Sequence, residues 1–264
     1  MELNQWKTVL IPYQYAVEEL KVKFKNIRKE LIDNGEYSPI EFVTGRVKKI
    51  SSIIDKAKRL DIDLSEVDDK IEDIAGIRIM CQFVEDIYTV VSYIRSRKDM
   101  DVLYEKDYIK NDKSSGYRSY HVIIKYPIQT VSGVVDILAG IQIRTLSMNF
   151  WATIEHSLKY KYNHYIPSDI AQRLRKAADA AFNLDQEMSV IREEIMRAQV
   201  MFEMKSVTVK DIIYSIQELQ KMGLTDEAKD FQRRFDAVST VSEMDDIIML
   251  RNELNKRIYE LKKS

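Results

Sequence analysis

The chain has 264 residues, 45% of them hydrophobic, with 41 Lys and Arg against 42 Asp and Glu and a formal net charge of −1. That length accommodates one catalytic-sized core with an appended module, and the near-neutral balance excludes a global attraction to nucleic acid or anionic membrane, so any polyanion site has to be a local cluster of cations. One cysteine and three histidines exclude a disulfide framework and a zinc site of ordinary spacing; no apolar run approaches the ~20 residues that span a bilayer and the amino terminus has no secretory apolar region, so a cytoplasmic protein is expected.

Apart from Gly223, all glycines and prolines lie before residue 168, which predicts strands and turns in the front two thirds and helix behind. From Pro12 to about Leu31, the residues Tyr13, Val17, Leu20, Phe24, Ile27 and Leu31 recur at steps of three and four, an amphipathic helix with Pro12 in its first turn. After the breaker NGEYSP, the segment IEFVTGRVK reads as a strand and leads into a helix. Arg46 and Lys48 share one face of the strand. Ser52, Lys56 and Arg59 follow at i, i+4 and i+7 on the helix, while Ile50, Ile53, Ile54 and Ala57 hold its other side in a core. A solvated basic face is the ordinary reading of one such stripe; the alignment of two elements is what argues for a polyphosphate.

In IEDIAGIRIM, Asp73 stands just before a strand whose alternation sets Arg78, Met80 and Gln82 opposite Ile79, Cys81 and Phe83. An acid at a strand edge beside two basic clusters suits Mg²⁺, and it suits a cap or turn equally. The segment NDKSSGYRSYHVIIKYP brings Lys113, Gly116, Tyr117, Arg118, Ser119 and His121 to the start of a third strand. A tyrosine beside a glycine turn can offer its ring to a purine, or the segment is a plain surface turn. A fourth strand, VVDILAGIQIRT, separates Val135, Ile137, Ala139, Ile141 and Ile143 from Asp136, Leu138, Gly140, Gln142 and Arg144. The polar row faces either solvent or a cleft, and Gly140 leaves a gap at its centre.

From Asp169 to about Phe202 a helix carries Leu174, Ala181, Met188, Ile191, Ile195 and Ala198 on a seam. Thr208 to Ser264 reads as two further helices, with Gly223 closing the first and SEMD, from Ser242, capping the second. Packing or self-association is the expected role of this tail, a regulatory ligand or partner surface the alternative. There is no GxxxxGK[ST], GxGxxG or GxSxG motif, so the usual ATPase, dinucleotide and hydrolase readings lack their hallmarks.

Taken together, GRVK followed by SSIIDKAKR, DIAGIRIM, KSSGYRSYH and IQIRTLSMNFWATIEHSLKYKY closely resemble the small alarmone synthetases, the synthetase-only branch of the RelA/SpoT homologue family, and most of all its RelQ-type members. The similarity runs from about Trp6 to Phe202, which divides the chain into a (p)ppGpp synthetase domain, 1–203, and a helical extension, 204–264, for oligomerisation or regulation. The resemblance implies an α+β fold, a nucleotidyltransferase-like mixed sheet flanked by helices. It implies a GTP pyrophosphokinase of the stringent response, transferring pyrophosphate from ATP to the 3′-hydroxyl of GTP or GDP with Mg²⁺ as cofactor. By motif, Arg46 and Arg78 would sandwich the adenine, and Lys48, Ser52, Lys56 and Arg59 would hold the ATP phosphates, Arg59 also acting in catalysis. Asp73 would bind Mg²⁺, Tyr117 would stack on guanine, Lys113 and His121 would assist at the acceptor, and Gln142 and Arg144 would line the guanine-nucleotide side of the cleft. The same resemblance implies a homotetramer with a regulatory pppGpp site, for which Lys21, Lys25, Phe42, Thr44 and Asn149 match in type.

The chain departs from the family at one position. The motif E-[IV]-Q-I-R-T places a glutamate, assigned to magnesium and to activating the 3′-hydroxyl, where Gly140 stands. Asp136 shares the strand face but lies four residues away, roughly 13 Å at strand rise. The expectation is therefore a synthetase scaffold with severely impaired catalysis. The alternatives are a non-catalytic pppGpp sensor that signals through the helical tail and a pyrophosphoryl transferase acting on RNA ends, which the net charge does nothing to support.

Overall fold

A computed structural model describes residues 3–161, 167–241 and 244–263. In chain order the elements are α1 (Leu3–Asp33), β1 (Phe42–Val47), α2 (Ile50–Leu60), α3 (Val67–Lys70), β2 (Ala75–Cys81), α4 (Val84–Ser96), β3 (Asp101–Asp107), β4 (Tyr120–Thr130), β5 (Gly133–Thr145), α5 (Leu146–Lys161), α6 (Ser168–Lys221), α7 (Thr225–Val241) and α8 (Met244–Leu261). The strands form one mixed sheet in the order β1-β2-β5-β4-β3, in which only β2 and β5 run parallel. This is the α+β fold expected from the sequence.

One face of the sheet is core. Val43, Ile77, Ile79, Val122, Ile124, Ala139, Ile141 and Ile143 are buried, with Tyr13, Val17, Leu20 and Phe24 of α1 and Ile87, Val90, Val91 and Ile94 of α4 in the same cluster. The fit of α1 on β1 is close: a Cβ at Gly45 would lie 2.9 Å from both Val17 Cγ1 and Ile77 Cδ1. Helix α1 begins well before the turn expected to start it, and Pro12 lies inside it. Trp6 and Leu10 continue the apolar seam upstream and are buried, so tertiary packing carries the helix through a residue that cannot donate the hydrogen bond a helix interior asks of it.

Strand β3 has no apolar run in the sequence. It is an edge strand, DVLYEKD, paired only to β4 and irregular between Val102 and Tyr104; with one neighbour and an open side, charges are tolerated there that a central strand would exclude.

The chain divides into two compact units, residues 1–189 and 190–264, the division falling inside α6. The boundary expected at 203/204 lies further along the same helix. No break separates residues 202 and 208, as the sequence had suggested; that stretch holds neither Gly nor Pro, and α6 runs through it. Gly223, with φ +83°, closes α6 as expected. Helix α7 was not separately foreseen, and Ser242 and Glu243 of the proposed cap lie outside the described residues. The second unit has its own core, formed by Ile212, Ile216 and Leu219 of α6, Phe231 and Phe235 of α7, and Ile247, Leu250, Leu254 and Ile258 of α8. Among the described residues no helix is long and apolar enough to cross a membrane.

Candidate active site

The sheet's second face carries a cavity of about 440 Å³. Its floor follows from strand register. Reading across the sheet, Thr44, Arg78, Gln142, His121 and Lys106 are successive partners in one row, and Arg46, Gly76, Gly140, Ile123 and Tyr104 are successive partners in the next. All ten line the cavity. The alternation that commits one face to the core therefore gathers residues from five separate segments on the other. Two glycines, Gly76 and Gly140, sit side by side at the centre of the second row and leave bare backbone there. A Cβ at Gly76 would meet nothing closer than the Arg46 carbonyl at 3.6 Å; one at Gly140 would lie 3.3 Å from the Glu72 carbonyl and 3.8 Å from Asp73 Cα. The 3.3 Å contact at Gly140 asks for a few tenths of an ångström of give.

The walls come from three connections. Lys56 enters from α2, Glu72 and Asp73 from the turn before β2, and Tyr108 and Lys113 from the loop after β3. Asp73 accepts from Lys48 Nζ on Oδ2 and from Lys56 Nζ on Oδ1, both at 2.7 Å. Burial alone would raise its pKa, but the two lysines outweigh that and hold the carboxyl below its usual range. Arg78 is lowered first by burial and then by the like charges of Arg144 and Arg46. The cavity thus holds more cation than its own carboxylates neutralise, the electrostatic condition for taking up a polyanion.

Behind the floor runs a hydrogen-bonded chain. Arg144, buried, donates to Ser119 Oγ at 3.2 Å, to Gln142 Oε1 at 2.8 Å and to the Tyr117 hydroxyl at 2.5 Å. The Tyr117 hydroxyl lies 2.8 Å from His121 Nε2. Burial, followed by the charges of Arg144, Lys113 and Lys106, pushes the His121 pKa down to about 3, so its ring is neutral at physiological pH and shares one hydrogen with the tyrosine hydroxyl, the ring's tautomer setting the direction. Tyr108 stands edge-on to both His121 and Tyr117, and Lys113 Nζ lies 4.5 Å from the Tyr108 ring centre and 5.1 Å from that of Tyr117.

A profile described as the region found in RelA/SpoT proteins matches residues 45–165. Over 205 residues the chain is 55% identical to GTP pyrophosphokinase YjbM of Bacillus subtilis (strain 168), covering 78% of this chain and 97% of that one. The chain belongs to the RelA/SpoT family, in its small alarmone synthetase branch. Solved structures agree: small alarmone synthetase 1 from Bacillus subtilis bound to its product pppGpp superposes with a TM-score of 0.70 at 56% identity, covering 72% of this chain and 98% of that one. The same enzyme bound to AMPCPP gives 0.65 at 52% identity, covering 73% and 98%.

Of the residues that the small alarmone synthetase motifs single out, the fold brings Arg46, Lys56, Asp73, Arg78, Lys113, His121, Gly140 and Gln142 to one cavity. Lys48 joins them through Asp73, while Tyr117 and Arg144 stand behind His121 and Gln142. Ser52 and Arg59 do not reach the wall; both are exposed on α2, on either side of Lys56 along the helix. The five residues matched to a pppGpp site are dispersed. Lys25 and Phe42 line a separate groove of about 440 Å³ between α1 and β1, together with Arg28 and Lys29. Thr44 faces the main cavity, Lys21 is paired with Glu18 at 2.9 Å, and Asn149 lies on α5 with its buried Oδ1 unpartnered. Asp136 is bound to Lys125 at 2.8 Å and is absent from the cavity lining, so it does not replace a carboxylate at position 140.

Glu72, Tyr104, Lys106 and Tyr108 line the cavity without having been singled out. Glu72 adjoins Asp73 in the IEDIAG segment, and its bond from the Tyr104 hydroxyl helps hold the tyrosine's pKa above its usual value, after burial, the larger cause. Tyr104 and Lys106 alternate on β3 and become visible only once β3 is recognised as a strand. Among the described residues no group of three or more His, Cys, Asp and Glu could hold a metal ion unaided. The donor set present, Asp73 with Glu72 beside it, fits a Mg²⁺ ion that completes its shell with phosphate oxygens and water.

Proposed function

We propose that the cavity binds ATP and a guanine nucleotide as the donor and acceptor of pyrophosphate transfer to the 3′-hydroxyl of GTP or GDP, and that Gly140 strongly reduces turnover. The observation that carries this reading is the two-row floor, where Arg46, Arg78, Gln142, His121 and Lys106 converge in a chain whose relatives are GTP pyrophosphokinases. Phosphoryl-group transfer depends on positioning and charge neutralisation. Lys48 and Lys56 are suited to the donor phosphates, which would compete with Asp73 for their ammonium groups and release its oxygens. Arg46 and Arg78 are suited to the adenine side, and the Arg144–Tyr117–His121 chain fixes the acceptor side. When bound, Mg²⁺ would neutralise charge on the donor phosphates, with Asp73 as its protein ligand.

The same geometry supports reduced turnover. With a pKa near 3, His121 is too weak a base to take the 3′-hydroxyl proton at neutral pH; it serves as a hydrogen-bonding partner. Position 140 lies at the centre of the floor and has no side chain. Restoring the family's glutamate, Gly140→Glu, should raise AMP release from ATP, GTP and Mg²⁺ by about 10²–10⁴-fold, the usual worth of a general base. Equal turnover by both forms would show that position 140 does not carry the base.

A second reading, a pppGpp sensor, is favoured by the groove lined by Lys25, Arg28, Lys29 and Phe42. It would bind pppGpp without forming product, even with glutamate at position 140. The homotetramer implied by the family accords with the exposed apolar side chains Ile191, Ile195 and Phe202 on α6.

A further inference from the structure

The loop between β3 and β4 carries Lys113 and Tyr117; beside the bonds that tie Tyr117 and Ser119 to His121 and Arg144 of the sheet, a second set of contacts holds it from the other side. Four charged residues form a closed ring beneath it. Arg175 Nη2 stands 2.6 Å from Asp112 Oδ2 and Arg175 Nε 3.2 Å from Asp179 Oδ2; Arg118 Nη2 stands 3.0 Å from Asp179 Oδ1 and 3.5 Å from Asp112 Oδ2. Each arginine thus bridges both aspartates. The same guanidinium groups take up the loop's carbonyls: Arg175 Nη1 donates to Lys113 O at 3.0 Å and Ser114 O at 3.3 Å, and Arg118 Nη1 donates to Gly116 O at 3.3 Å. Arg175 and Asp179 belong to α6, so the loop is fastened to that helix.

Packing closes the same joint. Gly116 has φ +86°, and a Cβ there would come within 2.5 Å of Ala178 Cβ, so the loop's backbone rests directly on α6. Arg118 lies over the Phe182 ring at 4.5 Å, and Tyr117 packs on the small cluster of Trp151, Ala152 and Ala178. A loop containing SSG in sequence has many conformations to lose, at roughly 1–2 kcal/mol per ordered residue. Here the ring and the packing on α6 offset that loss by holding the loop's backbone in one conformation.

We propose that the ring of Asp112, Arg118, Arg175 and Asp179 is the positioning element of the acceptor side. It fixes Lys113 and Tyr117 in the geometry that receives the guanine nucleotide and does not itself touch the nucleotide. This rests on the acceptor assignment made above. Without the ring, only a fraction of molecules present a formed loop, and the apparent affinity for the acceptor falls by that fraction. The donor side, built from α2 and the turn before β2, is unaffected.

The test is titration calorimetry of the full chain with GDP and, separately, with AMPCPP, both with Mg²⁺. Arg175→Ala should weaken GDP binding by roughly ten-fold or more while AMPCPP binding stays within about two-fold. Arg175→Lys should recover only part of the loss, because one ammonium group cannot span two carbonyls and two carboxylates. Unchanged GDP affinity in Arg175→Ala overturns the proposal. If that variant loses both nucleotides, Asp179→Asn, which keeps volume but turns one of the two acceptors into a donor facing a guanidinium, is read by the same two titrations, and no loss of GDP affinity or an equal loss of both there also overturns it; selective loss of GDP supports it. Failure of the unmodified chain to bind GDP while it binds AMPCPP would remove the acceptor assignment and this proposal together, whereas failure of Gly140→Glu to restore turnover touches only the catalytic reading.

Discussion

His121 shows how far surroundings can move one group. Its pKa falls from 6.5 to about 3 because the ring is buried and three cations, Arg144, Lys113 and Lys106, bear on it. In the unfolded chain the imidazole regains its ordinary value, so between pH 6.5 and 3 the unfolded state takes up a proton that the folded state refuses. Stability contributed at this site is therefore greatest above pH 6.5 and declines as the pH falls through that window, by about 1–2 kcal/mol at pH 5. Urea unfolding at pH 7 and pH 5 should show this decline, and His121→Gln, which still offers Tyr117 an acceptor, should flatten it. An acid limb equally steep in the variant would locate the titration elsewhere. Asp73 acts in the same direction at lower pH: its depressed pKa contributes stability that is present above 3.8 and is lost as the pH falls below that value.

At the level of elements, the two faces of the sheet impose opposite demands on its glycines. Gly45 lies where β1 presses on α1, and a methyl group would meet Val17 and Ile77 at 2.9 Å and Lys21 Cδ at 3.0 Å. Gly45→Ala should cost about 1–3 kcal/mol through overpacking. Gly76 faces the cavity, where a methyl group meets only a carbonyl at 3.6 Å. Gly76→Ala should leave stability within about 0.5 kcal/mol, as substitutions away from packed features do, yet raise the cavity floor and weaken AMPCPP binding. Denaturant midpoints for the first comparison and calorimetry for the second separate core from site; a large stability loss in Gly76→Ala would contradict this assignment of faces.

At the scale of the whole molecule, residues 190–264 carry a core of their own. Leu254 is fully buried within it, and Leu254→Ala should cost that unit about 2–5 kcal/mol through lost burial and the cavity left behind. Differential scanning calorimetry should show one transition moving down while nucleotide binding, built entirely within residues 1–189, is unchanged. A single transition shifting as one, with nucleotide affinity lost in step, would mean the two units do not melt independently.

Residue patterns alone determined a good deal here. Period-two alternation in GIRIM and ILAGIQIR fixed which side chains share a face, helical spacing set the stripe of Ser52, Lys56 and Arg59 apart from the side formed by Ile50, Ile53, Ile54 and Ala57, and the ordered motifs carried the family. These are local properties, set by backbone geometry over a few residues. What needed the tertiary structure was whatever depends on neighbours distant in sequence. Packing of Trp6 and Leu10 drives α1 past Pro12, and pairing to β4 makes a strand of the charged segment at Asp101–Asp107, which is why Tyr104 and Lys106 stayed hidden. The pairing of Gly76 with Gly140, the depression of the His121 pKa and the fastening of Lys113 and Tyr117 to α6 through Arg175 likewise exist only once remote segments meet, because register, burial and charge proximity are properties of the assembled sheet and not of any one strand.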